Sequence, residues 1–167
     1  MRIPRQAARV AVLDPAGAVF MFRYDNEEVG VHWALPGGGM DPGETPLQAA
    51  GRESREETGW TDIELGGTVL CLWEHDFTRA GVPVRQHEHI FLAYGPRRET
   101  AGALRLSQAA EGILGGRWWS PGDMSEAVER LWPPQLPALL AAVRRDGPPA
   151  APVELGHVSN GSTGTSP

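Results

Sequence analysis

The sequence predicts an α+β fold, with two helices packed on a mixed β-sheet as an α/β/α sandwich. Three observations carry this: β-rich runs paired across turn residues, one strongly capped helix near the middle, and an apolar helical pattern near the end. A length of 167 residues suggests one domain, expected over residues 1–146. Residues 147–167 are rich in Pro, Ala, Gly, Ser and Thr with little apolar periodicity, and are expected to be a flexible C-terminal tail.

Ala7–Leu13 and Val19–Tyr24 are rich in Val, Ala and Phe, and Asp14-Pro15-Ala16-Gly17 separates them. That reads as a hairpin. Trp33–Pro36 is a short extended run leading into Gly37, Gly38 and Gly39. Thr45–Thr58 is the clearest helix: Thr45 is the candidate N-cap, Pro46 takes the first helical position and Gln48 the third. Gly59 follows as the expected left-handed C-terminal residue. Ile63–Phe77 and Val82–Tyr94 carry β-branched and aromatic residues and predict a second, longer hairpin through Thr78–Gly81. Gly116–Ser120 reads as a last strand. Pro134–Arg145 reads as a helix with Leu136, Leu139, Leu140 and Val143 at helical spacing.

Composition narrows the function. The formal net charge is -6, which argues against polymeric nucleic acid bound on a broad basic patch. All fifteen basic residues are arginine, which removes both a P-loop lysine and a Schiff-base lysine. Any phosphate clamp must use arginine, backbone N–H groups or metal. Cys71 is the only cysteine, so neither an intrachain disulfide nor a thiolate zinc site is expected. The apolar run Ala7–Leu13 is interrupted by Arg9 and is too short for a signal peptide or a membrane span. A cytoplasmic protein with no membrane partner is expected.

The chemistry concentrates on the central helix. At about 100° per residue, Leu47, Ala50, Gly51, Ser54 and Thr58 share a stripe suited to packing on a sheet. Glu53, Glu56 and Glu57 share a neighbouring arc. Each like-charged pair costs a bare helix roughly 0.2–0.5 kcal/mol, and the helix dipole disfavours Glu56 and Glu57 near the C-terminus. Arg52 and Arg55 offset part of this. A divalent cation offsets more, and clustered carboxylates suit hard cations such as Mg²⁺ or Mn²⁺. The glycines before the helix let the backbone approach a ligand closely.

These residues resemble a known family. Gly38–Trp60 reads GGMDPGETPLQAAGRESREETGW and is similar to the Nudix box of the MutT-like hydrolases, G-x5-E-x7-R-E-U-x-E-E-x-G-U, where U is bulky and apolar. Gly38, Glu44, Arg52-Glu53, Glu56-Glu57, Gly59 and Trp60 fill its positions. Ser54 departs from the usual aliphatic residue and puts helix packing in question. The resemblance implies a Nudix-type α/β/α sandwich that hydrolyses a nucleoside diphosphate linked to another moiety. It implies Glu53, Glu56, Glu57 and the backbone of Gly38 as metal ligands, and Gly37, Gly38 and Gly39 as the phosphate-binding loop. Arg52 would orient the glutamates and Glu44 would tie loop to helix. Glu53, Glu57, Arg52 and Glu44 thus form the catalytic set, with Glu88 and Glu111 as additional candidates for base or ligand. The partner is a small nucleoside diphosphate derivative, and the reading admits a homodimer.

Two other functions fit the same fold. One is a nucleotide-sensing module that does not cut, which an intact acidic triad disfavours. The other is an isomerase of the isopentenyl diphosphate type, which would want a catalytic cysteine, and Cys71 is the sole candidate. Arg23, Arg85 and Arg117 are candidate phosphate contacts that no spacing selects. Of Trp118 and Trp119, strand alternation buries one and directs the other to the opposite face.

Overall fold

Strand β1 (Ile3–Leu13) organises the molecule. In a computed structural model that describes residues 1–101 and 112–159, β1 runs parallel to β6 (Val82–Tyr94) along its whole length, from Ile3↔Val84 to Leu13↔Tyr94. Its other edge is shared. Near the start it pairs with the three-residue β4 (Gly37–Gly39), and at its end it turns into β2 (Val19–Asn26). Strand β2 continues to β3 (Gly30–Ala34) and also pairs with β7 (Ile113–Trp119). Beyond β6 lies β5 (Val69–Arg79). The outermost strands are β8 (Arg130–Trp132), parallel to β3, and β9 (Val153–His157), parallel to β5. The sheet is therefore mixed, in the order β8-β3-β2-β1-β6-β5-β9.

Strand alternation divides the core into two layers. Ala11, Leu13, Val19 and Met21 face one side, where Leu136, Leu140 and Val143 of the C-terminal helix α3 (Leu136–Asp146) cover them with Trp73 and Trp132. Ala8, Val10, Val12, Phe20 and Phe22 face the other side, under Ala49 and Ala50 of α1 (Pro46–Thr58). A short helix α2 (Pro121–Ser125) follows β7. The molecule is the expected α+β sandwich. Trp119 is buried with the first layer, and Trp118 is half-buried against the second.

The turns follow local chemistry. Asp14 Oδ1 accepts from the N–H groups of Ala16 and Ala18, closing the β1–β2 connection. Ala80 and Gly81, both at positive φ (49° and 77°), make the two-residue turn of the β5–β6 hairpin.

Several expectations are corrected. Strand β5 starts at Val69 rather than Ile63, because Gly66-Gly67 breaks the run and Ile63 and Leu65 pack beside α1 instead. Strand β7 is not the last one. The segment expected to be a loose tail contributes β9, where Val153 and Leu155 alternate with Glu154 and the backbone completes the open edge of β5. Composition alone hides such a strand, since ladder hydrogen bonds to a waiting edge need little side-chain help. Residues 160–167 of that segment lie outside the described residues. Leu47 is exposed and Ala49 takes its place on the buried stripe of α1.

Leu140 is fully buried beneath the sheet. Leu140→Ala is expected to lower stability by about 2–5 kcal/mol, as read from the urea unfolding midpoint.

Candidate active site

Helix α1 is fixed at both ends. Thr45 Oγ1 accepts from Gln48 N–H at 3.2 Å, Gln48 Oε1 accepts from Thr45 N–H at 3.0 Å, and Pro46 starts the helix. At the other end Gly59 adopts φ 76° and its N–H donates to Arg55 O. The Ser54 hydroxyl is buried and donates to Gly51 O at 3.2 Å, so this position packs without an orphaned polar atom.

Beside the helix, β4 lies in the β1 ladder with Ala7↔Gly39, Ala8↔Gly38 and Arg9↔Gly37. Each of its glycines has a reason. Gly37 sits at φ 148°, and a Cβ there would be 2.5 Å from Arg9 Cα. A Cβ on Gly38 would be 2.9 Å from the carboxylate carbon of Glu53, and one on Gly39 would be 2.9 Å from Arg5 Cζ. Glu53 thus lies over one face of the glycine strand and Arg5 over the other.

Arg52 links the acidic groups. Its Nε and Nη2 donate to the two oxygens of Glu44, both at 2.8 Å, and Nη2 also donates to Gly39 O at 3.1 Å. Its Nη1 donates to Glu53 Oε1 at 3.1 Å and to Glu56 Oε2 at 3.3 Å. Glu44 also accepts from Asp41 N–H at 2.7 Å. The Arg52 hydrogen bonds, with that N–H, hold the Glu44 carboxyl down at about 2. Glu56 is the most exposed of the three helix glutamates.

Glu57 is buried at 4% exposure. Its Oε1 accepts from Gly37 N–H and its Oε2 from the Tyr24 hydroxyl, both at 2.9 Å. Burial pushes its carboxyl up to about 8, against the pull of nearby Arg9, the Gly37 N–H and the Tyr24 hydroxyl.

Glu88 belongs to a buried network. Its Oε1 accepts from Arg9 Nε at 2.6 Å, while its Oε2 lies 2.5 Å from His75 Nε2 and 3.0 Å from Gln86 Nε2. Burial acts to raise its carboxyl, but Arg9 and His75 bring it well below the ordinary carboxylate range. Arg9 also donates to Leu35 O at 2.8 Å and to Gly37 O at 3.4 Å, so Glu88 reaches the glycine strand through Arg9. Glu111 lies outside the described residues.

Other sequence candidates are engaged elsewhere. Arg23 pairs with Glu129, Arg85 with Asp76 and Arg117 with Asp123. Cys71 is fully buried, and burial pushes its thiol up to about 12. It has neither the access nor the acidity of a catalytic cysteine. Arg5, Arg9 and Tyr24 were not among the expected site residues. The available signal was Arg9, a charge inside an otherwise apolar strand.

Among the described residues, no three His, Cys, Asp or Glu side chains already converge as a metal cage. The donor set still fits a hard cation. It is made of carboxylate and carbonyl oxygens, and the missing side chain of Gly38 brings the Glu53 carboxylate against the backbone.

A family model for the NUDIX domain matches residues 3–141. The chain belongs to the Nudix family. The RNA pyrophosphohydrolase of Helicobacter pylori (strain G27) is 30% identical over 106 residues, covering 64% of this chain and 64% of that one. The chain thus matches less than two thirds of that relative's length. Two solved structures share the fold. The NUDIX hydrolase from Nitrosomonas europaea has a TM-score of 0.64 at 16% identity, covering 95% of this chain and 81% of that one. The MutT protein from Methanosarcina mazei Go1 has a TM-score of 0.62 at 16% identity, covering 87% and 96%. No helix among the described residues is long and apolar enough to cross a membrane.

The raised Glu57 carboxyl has a pH signature. A group raised from 4.5 to about 8 on folding favours the folded state while protonated. That contribution is full below 4.5 and fades as pH rises through about 8. With divalent ions chelated, wild type is expected to lose stability across this window relative to Glu57→Gln. Urea midpoints measured at several pH values check it, and parallel curves for the two proteins would refute it.

Proposed function

We propose that this chain is a Mg²⁺- or Mn²⁺-dependent hydrolase that cuts the pyrophosphate linkage of a nucleoside diphosphate joined to another moiety. One observation carries the reading: Arg52 gathers Glu44, Glu53 and Glu56 beside a glycine strand whose missing side chains let the Glu53 carboxylate come up against the backbone. Glu53, Glu56, Glu57 and the Gly38 carbonyl are the groups that would hold the cation. The cation would neutralise phosphate oxygens and acidify water.

The chain's own residues do the rest. Arg52 fixes the direction of Glu53 and Glu56, and Glu44 fixes Arg52 against the loop. Water forms the new P–O bond, the bridging P–O bond breaks, and a carboxylate accepts the proton. Glu53 and Glu57 are the candidate acceptors. The oxygens of Glu88 are taken by Arg9, His75 and Gln86, which favours a positioning role for it. Glu57, whose oxygens also accept from the Gly37 N–H and the Tyr24 hydroxyl, can take the proton only where a bound cation keeps its carboxylate ionised.

A phosphate-release screen tests the activity, using Mg²⁺ with ADP-ribose, NADH, dinucleoside polyphosphates, oxidised nucleoside triphosphates and a 5′-triphosphorylated RNA oligonucleotide. At least one is expected to turn over, and equal rates in excess EDTA would remove the metal from the reading. Tight nucleotide binding without turnover would instead make the protein a sensing module. Glu57→Gln is expected to lower turnover at least about tenfold, roughly 1.4 kcal/mol of barrier. An unchanged rate in a folded variant would take Glu57 out of the catalytic set.

A further inference from the structure

Arg5 is a half-buried cation with no anionic partner among the described residues. Its Nη1 donates to the Gln86 side-chain oxygen, a neutral group, and no carboxylate among the described residues lies within ion-pair distance of it. Its charged neighbours are two arginines and two glutamates, and the two arginines weigh more. Burial pulls the guanidinium down to about 10, followed by the nearby charges of Arg79 and Arg9, with Glu88 and Glu53 giving weaker attraction in return. Taking a cation partly out of water and setting it near two others is costly unless an anion joins it. Nine other arginines among the described residues differ, Arg2, Arg9 and Arg52 among them, each with a carboxylate within 4 Å.

Position supplies the second half of the argument. The guanidinium lies against Gly39, where even a methyl group would collide with it. Neighbouring side-chain positions on a strand point to opposite faces. The glycine strand therefore carries the Glu53 carboxylate at Gly38 on one face and Arg5 at Gly39 on the other. Gln86 is fully buried and pairs with Arg5 in the β1–β6 register, so the guanidinium is aimed by a fixed amide. That amide engages Nη1, and the Nη2 and Nε side of the guanidinium lies toward Gly39, so the N–H groups there are offered to a phosphoryl group only along the glycine strand.

We propose that Arg5 is a substrate-binding residue that grips non-bridging oxygens of the pyrophosphate, on the face of the glycine strand opposite Glu53. The inference deepens the diphosphate-hydrolase reading and rests on it. It assigns the phosphate clamp that a chain without lysine requires to a residue outside the Nudix box. It also makes Gln86 a positioning residue, with Glu88 bracing that amide from behind at 3.0 Å.

Calorimetric titration with imidodiphosphate in Mg²⁺ tests the clamp without any need for turnover. Wild type is expected to bind. Arg5→Gln is expected to weaken binding at least about tenfold and Arg5→Lys less. Arg145→Gln, which removes the same charge from the far end of α3, should leave it unchanged. For any substrate found in the screen, Arg5→Gln should raise KM at least about tenfold, with a smaller change in kcat. Wild-type affinity and KM in a folded Arg5→Gln protein would overturn the proposal, as would wild type failing to bind the probe. Binding that depends on Arg5 with no turnover of any substrate would support the clamp and defeat the hydrolase reading, which separates the two. Should Arg5→Gln not fold, labelling of wild type with an arginine-specific dicarbonyl decides. Imidodiphosphate must slow modification of Arg5 but not of Arg145, and equal rates with and without the probe would overturn the assignment.

Discussion

The glycine strand pressed into the β1 ladder is the constraint on which the rest of the site depends. Three consecutive residues there do without side chains, each for a different reason: a Cβ would meet the β1 backbone at Gly37 and would displace the Glu53 carboxylate at Gly38 and the Arg5 guanidinium at Gly39. Because the strand is held by ladder hydrogen bonds rather than by side chains, its N–H and C=O groups are fixed in direction. Gly37 N–H meets Glu57, and Gly39 O meets Arg52. Preorganised dipoles of this kind need no rearrangement when charge arrives.

Electrostatics then explains why so many ionised groups can share this space. Arg52 divides five donors among Glu44, Glu53, Glu56 and one carbonyl, which relieves the repulsion between Glu53 and Glu56 on the helix flank. Arg9 does the same at greater depth. It satisfies Glu88 on one side and the carbonyls of Leu35 and Gly37 on the other, so the interior of β5 and β6 is coupled to the loop. Buried ion pairs are seldom a net source of stability. Their value here lies in fixing where the glycine strand sits.

Much of this was legible in the sequence where local rules act alone. The Thr45 capping box, the Pro46 start and the Gly59 stop define α1 by short-range hydrogen bonds, and the structure has each of them. The β5–β6 turn and the opposite faces of Trp118 and Trp119 follow from strand geometry in the same way. What sequence could not give was set by distant partners. Strand β9 exists because β5 had an open edge. Leu47 and Ala49 exchange roles because helix rotation is chosen by the sheet beneath. Arg5 and Arg9 acquire meaning only once β4 is laid across β1, some thirty residues away in the chain. Family resemblance singled out the glutamates as candidates, but it lay outside its reach to say which arginine would stand apart from the carboxylates.

Strand β9 has one more consequence. An uncovered β5 would present a row of bare amides and carbonyls to any passing extended chain. By covering Cys71–Glu74 with its own late segment, the protein leaves the five-residue β9 as the edge there, and so short an edge is a poorer template on which copies of itself can stack. A stretch that contributes little to the core or to the chemistry thus acts as a guard against sticking, and its worth would be seen in how long the protein stays dispersed.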